Sequence, residues 1–352
     1  MSTEKEVVIR PERLKEFVID LFGRLNVPAE DAALVADNLI DADLRGVMTH
    51  GVTRIPSYIV KLENKLCFGG NKPEIVKDSG AVAIIDANHT LGQISSTMAM
   101  RLAIGKAEKL GIGYVGVRNS SHNGTAGFYA MMALEKNMIG LAITNASINV
   151  VPFGGIERRL GTNPVAVAIP AETHLPILLD MATSRVAQGK IMVASKKGVP
   201  IPPDWALDKA GNPTTDSAEA LTGMLLPLGY KGYGMAVVID MLSGVLNGAG
   251  FGKMVNTPTD YPKIGHSFMA INTEAFCEID EFKHNIDALI DEITTVKLAE
   301  GVEKVYMPGE IEFNTKASNL ARGGVVLQPF HIKELSAAAV KYGLDPAIYF
   351  GN

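Results

Sequence analysis

Apolar residues recur with a helical period over the first sixty positions and then change rhythm. Leu14, Phe17, Val18, Leu21 and Phe22 mark one face of a helix that Pro11 and Glu12 start well, since proline suits the first turn and an acid complements its dipole. A second helix begins near Glu30, with Val35, Leu39 and Ala42 on one face. A third amphipathic stretch covers 55–66 and ends at the turn-like run Phe68-Gly69-Gly70-Asn71. Short apolar runs follow. Strands are expected at 81–86, 113–118, 140–145, 165–170 and 177–182. Helices are expected at 93–110, with Met98, Leu102 and Ala103 inward, and at 128–136. Polar, glycine-bearing loops at 120–127 and 146–155 lie at strand ends.

The stretch 196–218, rich in Pro, Asp, Lys and Gly, reads as a surface excursion. The most apolar window, 235–251, contains Asp240 and is too short to span a membrane, so it reads as a buried core helix. Beyond it come a strand from about 268, a helix carrying Phe282, Ile286, Leu289 and Ile290, and a helical tail at 333–342. There is no internal repeat. Taken alone, the alternation of strands and helices suggests a doubly wound parallel sheet.

Composition narrows the class. A chain of 352 residues has room for about two or three domains. A net charge of −5 argues against a nucleic-acid footprint and a polybasic membrane anchor. Cys67 and Cys277 form no CxxC pair, so they are expected as reduced, buried thiols of a cytoplasmic protein. The charged start, MSTEKEVVIRPER, has no apolar segment of the secretory kind. The seven histidines lack metal-ligand spacing, and no metal site is expected.

Candidate chemistry concentrates in DLRGVMTHGVTR, residues 43–54. His50 stands between Thr49 and Gly51, and Arg54 follows four residues on. An imidazole can move a proton near neutral pH, and a guanidinium can grip a carboxylate with two parallel hydrogen bonds. The competing reading is a helix end with a satisfied histidine and a surface arginine. A GxGxxG at Gly111, Gly113 and Gly116 lacks the context of a dinucleotide fingerprint: a helix precedes it and a strand follows, the reverse of what phosphate binding at a helix N-terminus requires.

Further segments complete a constellation: Tyr58, RNSSHNGTAG, VVPFGG, GTNP, DMATS, GYKGYG and MPGE, in order over nearly the whole chain. With them the sequence resembles the malate/L-lactate dehydrogenase family of NAD(P)-dependent oxidoreductases, which also holds ureidoglycolate, sulfolactate and diketogulonate enzymes and cyclic-imine reductases. The resemblance implies an α/β fold of the α+β type: a helical N-terminal region and a non-Rossmann dinucleotide-binding domain on a mixed, largely antiparallel sheet. It is followed over the parallel reading, because periodicity does not fix strand order. The implied division is 1–75 as the helical region with the substrate motif, 76–120 with 266–352 as a core and dimerisation domain, and 121–265 as the dinucleotide domain. A homodimer with its site near the interface is also implied.

The resemblance carries roles residue by residue. His50 or His122 exchanges the proton, Arg54 clamps the substrate carboxylate, and Thr49 and Tyr58 line the pocket. Thr49 replaces the serine usual in relatives, and its methyl is expected to narrow the pocket. Asp180 orients a histidine or the cofactor, or caps a strand end. Gly161, Thr162 and Asn163, then Asp180, Met181, Ala182, Thr183 and Ser184, then Lys231 and Gly232, then Pro308, Gly309 and Glu310 match dinucleotide contacts. NAD is the expected cofactor and NADP the alternative, with Arg185 the residue that can meet a 2′-phosphate. The implied activity moves a hydride between nicotinamide and C2 of a small 2-hydroxy or 2-oxo acid. Malate or L-lactate heads the substrates, and a non-catalytic dinucleotide-binding protein is the alternative of a different class.

Overall fold

The computed structural model describes residues 6–255 and 261–351. Residues 1–5, where the charged N-terminal stretch begins, lie outside the described residues. The chain opens with β1 (Val7–Ile9), α1 (Pro11–Gly23) and α2 (Ala29–Leu44). All five apolar positions expected on α1 are buried, and Val35, Leu39 and Ala42 of α2 join them. Two 3-10 turns, Met48–His50 and Val52–Arg54, lead into α3 (Ile55–Glu63).

A seven-stranded sheet follows. Its members are β2 (Glu74–Ser79), β3 (Val82–Asp86), β4 (Ile112–Ser120), β5 (Met138–Thr144), β6 (Val165–Ile169), β7 (Ile177–Met181) and β10 (Ile264–Asn272), in the order β2-β3-β4-β10-β5-β6-β7. Only β3 and β4 run parallel; the other pairs are antiparallel. The sheet is thus mixed and largely antiparallel, and the doubly wound parallel arrangement suggested by alternation does not occur. The reason is β10, which arrives from far along the chain and separates β4 from β5.

Helices α4 (Gly92–Leu110) and α5 (Ala126–Met132) pack on the sheet. On α4, Ala99, Met100, Ala103 and Ala107 are buried against the sheet and Ile94 in the core of α1–α3, while Met98 and Leu102 are only partly covered. Its first turn buries Gln93, Ser95, Ser96 and Thr97, a polar surface that needs partners. The GxGxxG glycines serve packing. Gly111 ends α4 in the left-handed conformation, and a Cβ at Gly113 would meet the Ala103 carbonyl at 2.0 Å.

Between β7 and β10 lie α6 (Gln188–Lys197), β8 (Ala206–Leu207), α7 (Ser217–Thr222), β9 (Met224–Leu225) and α8 (Gly229–Asp240). The supposed excursion at 196–218 therefore carries short elements, tied by the β8–β9 pair. Helix α8 runs into a π-turn, Met241–Val245. The window 235–251 is not the buried helix its apolarity suggested. Ala236 and Ile239 face inward, but Met241, Val245 and Leu246 are exposed, Leu246 by 60%. The helix is apolar on both sides and has the sheet on only one. Cys277 is likewise exposed rather than buried, while Cys67 is buried as expected. Cys277 falls in the turn ahead of α9 (Ile279–Thr294).

The chain closes with α10 (Glu310–Ala321), β11 (Val325–Leu327), α11 (Pro329–Lys341) and α12 (Pro346–Phe350). β11 pairs with β1, and Phe350 stands edge-on to Phe17 at 4.9 Å. The two chain ends thus share one core with α1–α3.

Candidate active site

The end of α2 sets the first half of the site. Asp43, in its last turn, is buried, and Val52 N–H donates to its Oδ2 at 2.8 Å. A Cβ at Gly51 would overlap this carboxylate at 1.8 Å, so the glycine after His50 is required by Asp43. Burial drives the Asp43 carboxyl up to about 8. The sequence reading missed Asp43, which belongs to the same motif but reads as an ordinary helix-end acid.

On this base, the Thr49 hydroxyl lies 3.0 Å from His50 Nδ1. Arg54 Nε donates to the Thr49 carbonyl at 2.6 Å, which fixes the guanidinium and leaves its terminal nitrogens without a partner among the described residues. The Thr49 methyl lies against α6: a Cβ at Gly189 would come within 2.3 Å of it. This methyl therefore joins the turns at 48–54 to the helix after the DMATS loop. Tyr58, four residues beyond Arg54 on α3, is 1% exposed, and its hydroxyl lies 2.8 Å from His122 Nδ1.

His122 comes from the loop between β4 and α5. Asn123 Nδ2 donates to Ser96 Oγ at 3.0 Å, and the left-handed Gly124 turns the chain over the buried Asn38. The two histidine rings stack at 5.6 Å between centroids. Burial lowers the His50 pKa to about 4, and the Arg54 charge adds to the effect. Burial, then Arg54, then His50 hold His122 well below its ordinary value. A third histidine, His266, is buried in β10 between Thr144 Oγ1 at 2.6 Å and Ser120 Oγ at 2.9 Å, and belongs to the core. Gln93, at the start of α4, donates to the Tyr58 hydroxyl at 2.8 Å. No sequence motif pointed to it.

The expected cofactor segments converge on one another. Thr183 N–H and its hydroxyl both donate to the Thr162 carbonyl, each at 2.9 Å. Asn163 Nδ2 reaches the Ala236 carbonyl at 2.9 Å, and its Oδ1 accepts from Ala146 N–H at 3.1 Å. A Cβ at Gly161 would meet the Ala146 carbonyl at 2.3 Å, and one at Gly232 would meet the Thr183 carbonyl at 2.7 Å. Met181 and Ala182 are half-buried, and Ser184 is buried, its hydroxyl donating to the Val186 carbonyl at 2.8 Å. Lys231 is exposed, with its ammonium 5.9 Å from the Tyr230 ring centre. The Pro308 carbonyl accepts from Leu178 N–H at 2.9 Å, docking Gly309 and Glu310 on β7. Glu310 pairs with Lys304, which lowers its pKa. Arg185 is half-exposed and pairs with Asp204 at 2.7 Å.

Asp180, two residues beyond Leu178, accepts from Gly127 N–H at 3.0 Å and bonds to neither site histidine. It is open to solvent yet closely surrounded by protein, as the wall of a cleft would be, and this crowding raises its pKa to about 6.

A family model described as malate/L-lactate dehydrogenase matches residues 9–336. The chain belongs to this family. It is similar to the L-sulfolactate dehydrogenase of Methanocaldococcus jannaschii, with 45% identity over 88% of this chain and 90% of that one. It is also similar to the malate dehydrogenase of Pyrococcus horikoshii, with 41% identity over 97% of each. The solved sulfolactate dehydrogenase of M. jannaschii superposes with a TM-score of 0.89, over 97% of this chain and 99% of that one. A malate dehydrogenase from Entamoeba histolytica superposes at 0.92 with 31% identity, over 97% and 99%.

Membership makes the chain a dehydrogenase of hydroxyacids with a nicotinamide cofactor. The chemistry available to this dehydrogenase follows from its side chains. A fixed guanidinium can hold an anion, and two stacked imidazoles, whose Nε2 atoms have no partner among the described residues, can exchange a proton with it. No group of three or more His, Cys, Asp or Glu residues among those described is placed to hold a metal ion, and no described helix is long and apolar enough to cross a membrane.

Proposed function

We propose that this dehydrogenase interconverts a small 2-hydroxy acid and its 2-oxo acid, with a substrate of the malate type, and uses His122 to exchange the proton. The observation that carries the reading is the meeting of the Arg54 fork with the His50–His122 stack, the latter backed by Tyr58. Arg54 grips the carboxylate, Thr49 and Tyr58 border the pocket, and His122 exchanges the hydroxyl proton at Nε2. When bound, the nicotinamide supplies the hydride exchange with C2 of the acid. Gly161–Asn163, Asp180–Ser184, Gly232 and Pro308–Glu310 supply the backbone of its site, and Lys231 a charge for phosphate. NAD is the cofactor proposed, since Arg185, the residue that can meet a 2′-phosphate, is engaged by Asp204 at 2.7 Å.

A second cation favours malate over lactate. Lys61 lies on α3 with its ammonium 6.0 Å from the Tyr58 ring centre and no ion pair among the described residues, and burial lowers its pKa. An arriving second anion would offset the cost of that burial with its opposite charge. Sulfolactate carries a second anion as malate does, and L-sulfolactate dehydrogenase is the name of the M. jannaschii relative. In an assay following NADH and NADPH separately, oxaloacetate and sulfopyruvate are expected to exceed pyruvate in kcat/KM by at least tenfold, with Lys61→Met closing the gap. Equal use of pyruvate would discard the second-anion reading, and no turnover of any 2-oxo acid would discard the whole.

The exposed apolar run of Met241, Leu242, Val245 and Leu246 suits the interface of a homodimer. Sedimentation is expected to give twice the chain mass, and Val245→Glu with Leu246→Glu to give the single mass.

A further inference from the structure

Gln93 lies behind the histidines and touches neither. Its side chain is completely buried. Its Nε2 donates to the Tyr58 hydroxyl at 2.8 Å, and that hydroxyl lies 2.8 Å from His122 Nδ1. Gly124 N–H also points at Nδ1, from 3.3 Å. A backbone N–H can only donate, so Nδ1 presents a lone pair. Tyr58 then gives its hydrogen to Nδ1 and receives that of Gln93. The neutral ring consequently carries its own hydrogen on Nε2.

Proton exchange at Nε2 requires the opposite. A base needs a lone pair on Nε2, and the conjugate acid carries hydrogens on both nitrogens. Nδ1 is protonated in each of these working forms. Tyr58 must then accept from Nδ1 and donate to residue 93. The acceptor for that bond is already present, because Gln93 Oε1 is buried and has no partner. Half a turn of the amide exchanges its oxygen and nitrogen. In either setting one polar atom of the amide meets Tyr58 and the other is unpaired, so the amide itself favours neither; the Gly124 N–H, which keeps its acceptor only while Nδ1 is bare, holds the resting setting. The protonation state of His122 decides between them.

We propose that Gln93 is a positioning residue whose amide turns over to reverse the Gln93–Tyr58–His122 hydrogen-bond chain, taking His122 from a resting tautomer to its proton-exchanging form. The proposal rests on His122 as the proton-exchanging group of the proposed reaction. Its first test is independent of any reaction. The drive comes from substrate: a carboxylate on Arg54 offsets the positive charge that opposes protonation of His122.

The test is 15N NMR of the full chain labelled at histidine, with the His122 signals identified by their loss in His122→Gln. Without substrate, Nε2 is expected to bear the hydrogen and Nδ1 to resonate as a bare nitrogen. Gln93→Glu keeps the shape and, once its buried carboxyl is ionised, can only accept. In spectra recorded across the titration of that carboxyl it is expected to move the hydrogen from Nε2 to Nδ1 as the carboxyl ionises. Gln93→Met keeps the volume without the bond, and is expected to mix the tautomers and lower kcat/KM about tenfold. A hydrogen on Nδ1 in the unaltered protein would overturn the proposal. So would nitrogen signals of His122 unchanged in both variants, whatever happens to the rate. The expected NMR pattern in a protein that turns over no 2-oxo acid would uphold the resting chain and discard the proposed reaction instead.

Discussion

Arg54→Lys is expected to lower kcat/KM for the 2-oxo acid about a hundredfold, roughly 3 kcal/mol, most of it in KM. Arg54 has two tasks that a lysine cannot perform together. Its Nε is committed to the Thr49 carbonyl, and in the proposed reaction the remaining two nitrogens are the fork that takes the carboxylate. An ammonium on a flexible stem either bonds the carbonyl and leaves the substrate with a distant charge, or meets the substrate and leaves the Thr49–His50 turn unbraced. Steady-state kinetics of Arg54→Ala with added guanidinium separates the losses, since the free cation restores the charged fork but not the tether that braces the turn. A kcat/KM equal to that of the unaltered enzyme would remove Arg54 from the site.

His122→Gln is expected to lower kcat by about 10² to 10⁴, the range over which a positioned acid or base contributes. His50→Gln is expected to cost about tenfold, because it loses a stacked neighbour of the ring proposed to exchange the proton rather than that ring itself. The reverse ranking would give the proton to His50. The pH dependence carries a second mark. In the free protein burial and Arg54 depress both histidines. A bound carboxylate offsets Arg54, so the depressed pKa rises in the complex. For oxidation the working base is the neutral ring, which is lost as pH falls. The acid limb of kcat therefore lies at higher pH than that of kcat/KM. Superimposed limbs would show that the substrate does not neutralise the charge beside the histidine.

Legibility in the sequence followed the range of the forces involved. The early helices and α4 were readable because local periodicity and burial agree there, as Leu14, Phe17 and Leu21 show. Strand positions were readable too, but their order was not: nothing local tells residues 264–272 to enter between β4 and β5. The GxGxxG could be set aside on context, and the packing of Gly113 on Ala103 gives the physical reason. Of the site, the residues with distinctive chemistry were visible: His50, Arg54, Tyr58 and His122. Asp43 and Gln93 were not, because an acid at a helix end and an amide in a first turn are common, and only tertiary packing aims them at Gly51 and Tyr58. Surface apolarity misled. The run around Leu246 reads as core, since a face that suits a partner has the same composition as one that meets the interior.

The insertion of β10 also bears on how the molecule is made. β4 ends at residue 120 and β5 at residue 144, yet both wait for a strand that begins at residue 264. During synthesis from the N-terminus, each presents an unpaired apolar edge while more than a hundred further residues emerge. The central pairing closes a long loop and is expected to be the slow step of folding. A chain truncated before residue 264 would retain both edges, and so be a candidate for aggregation and for retention by chaperones even though most of its site motifs are already present.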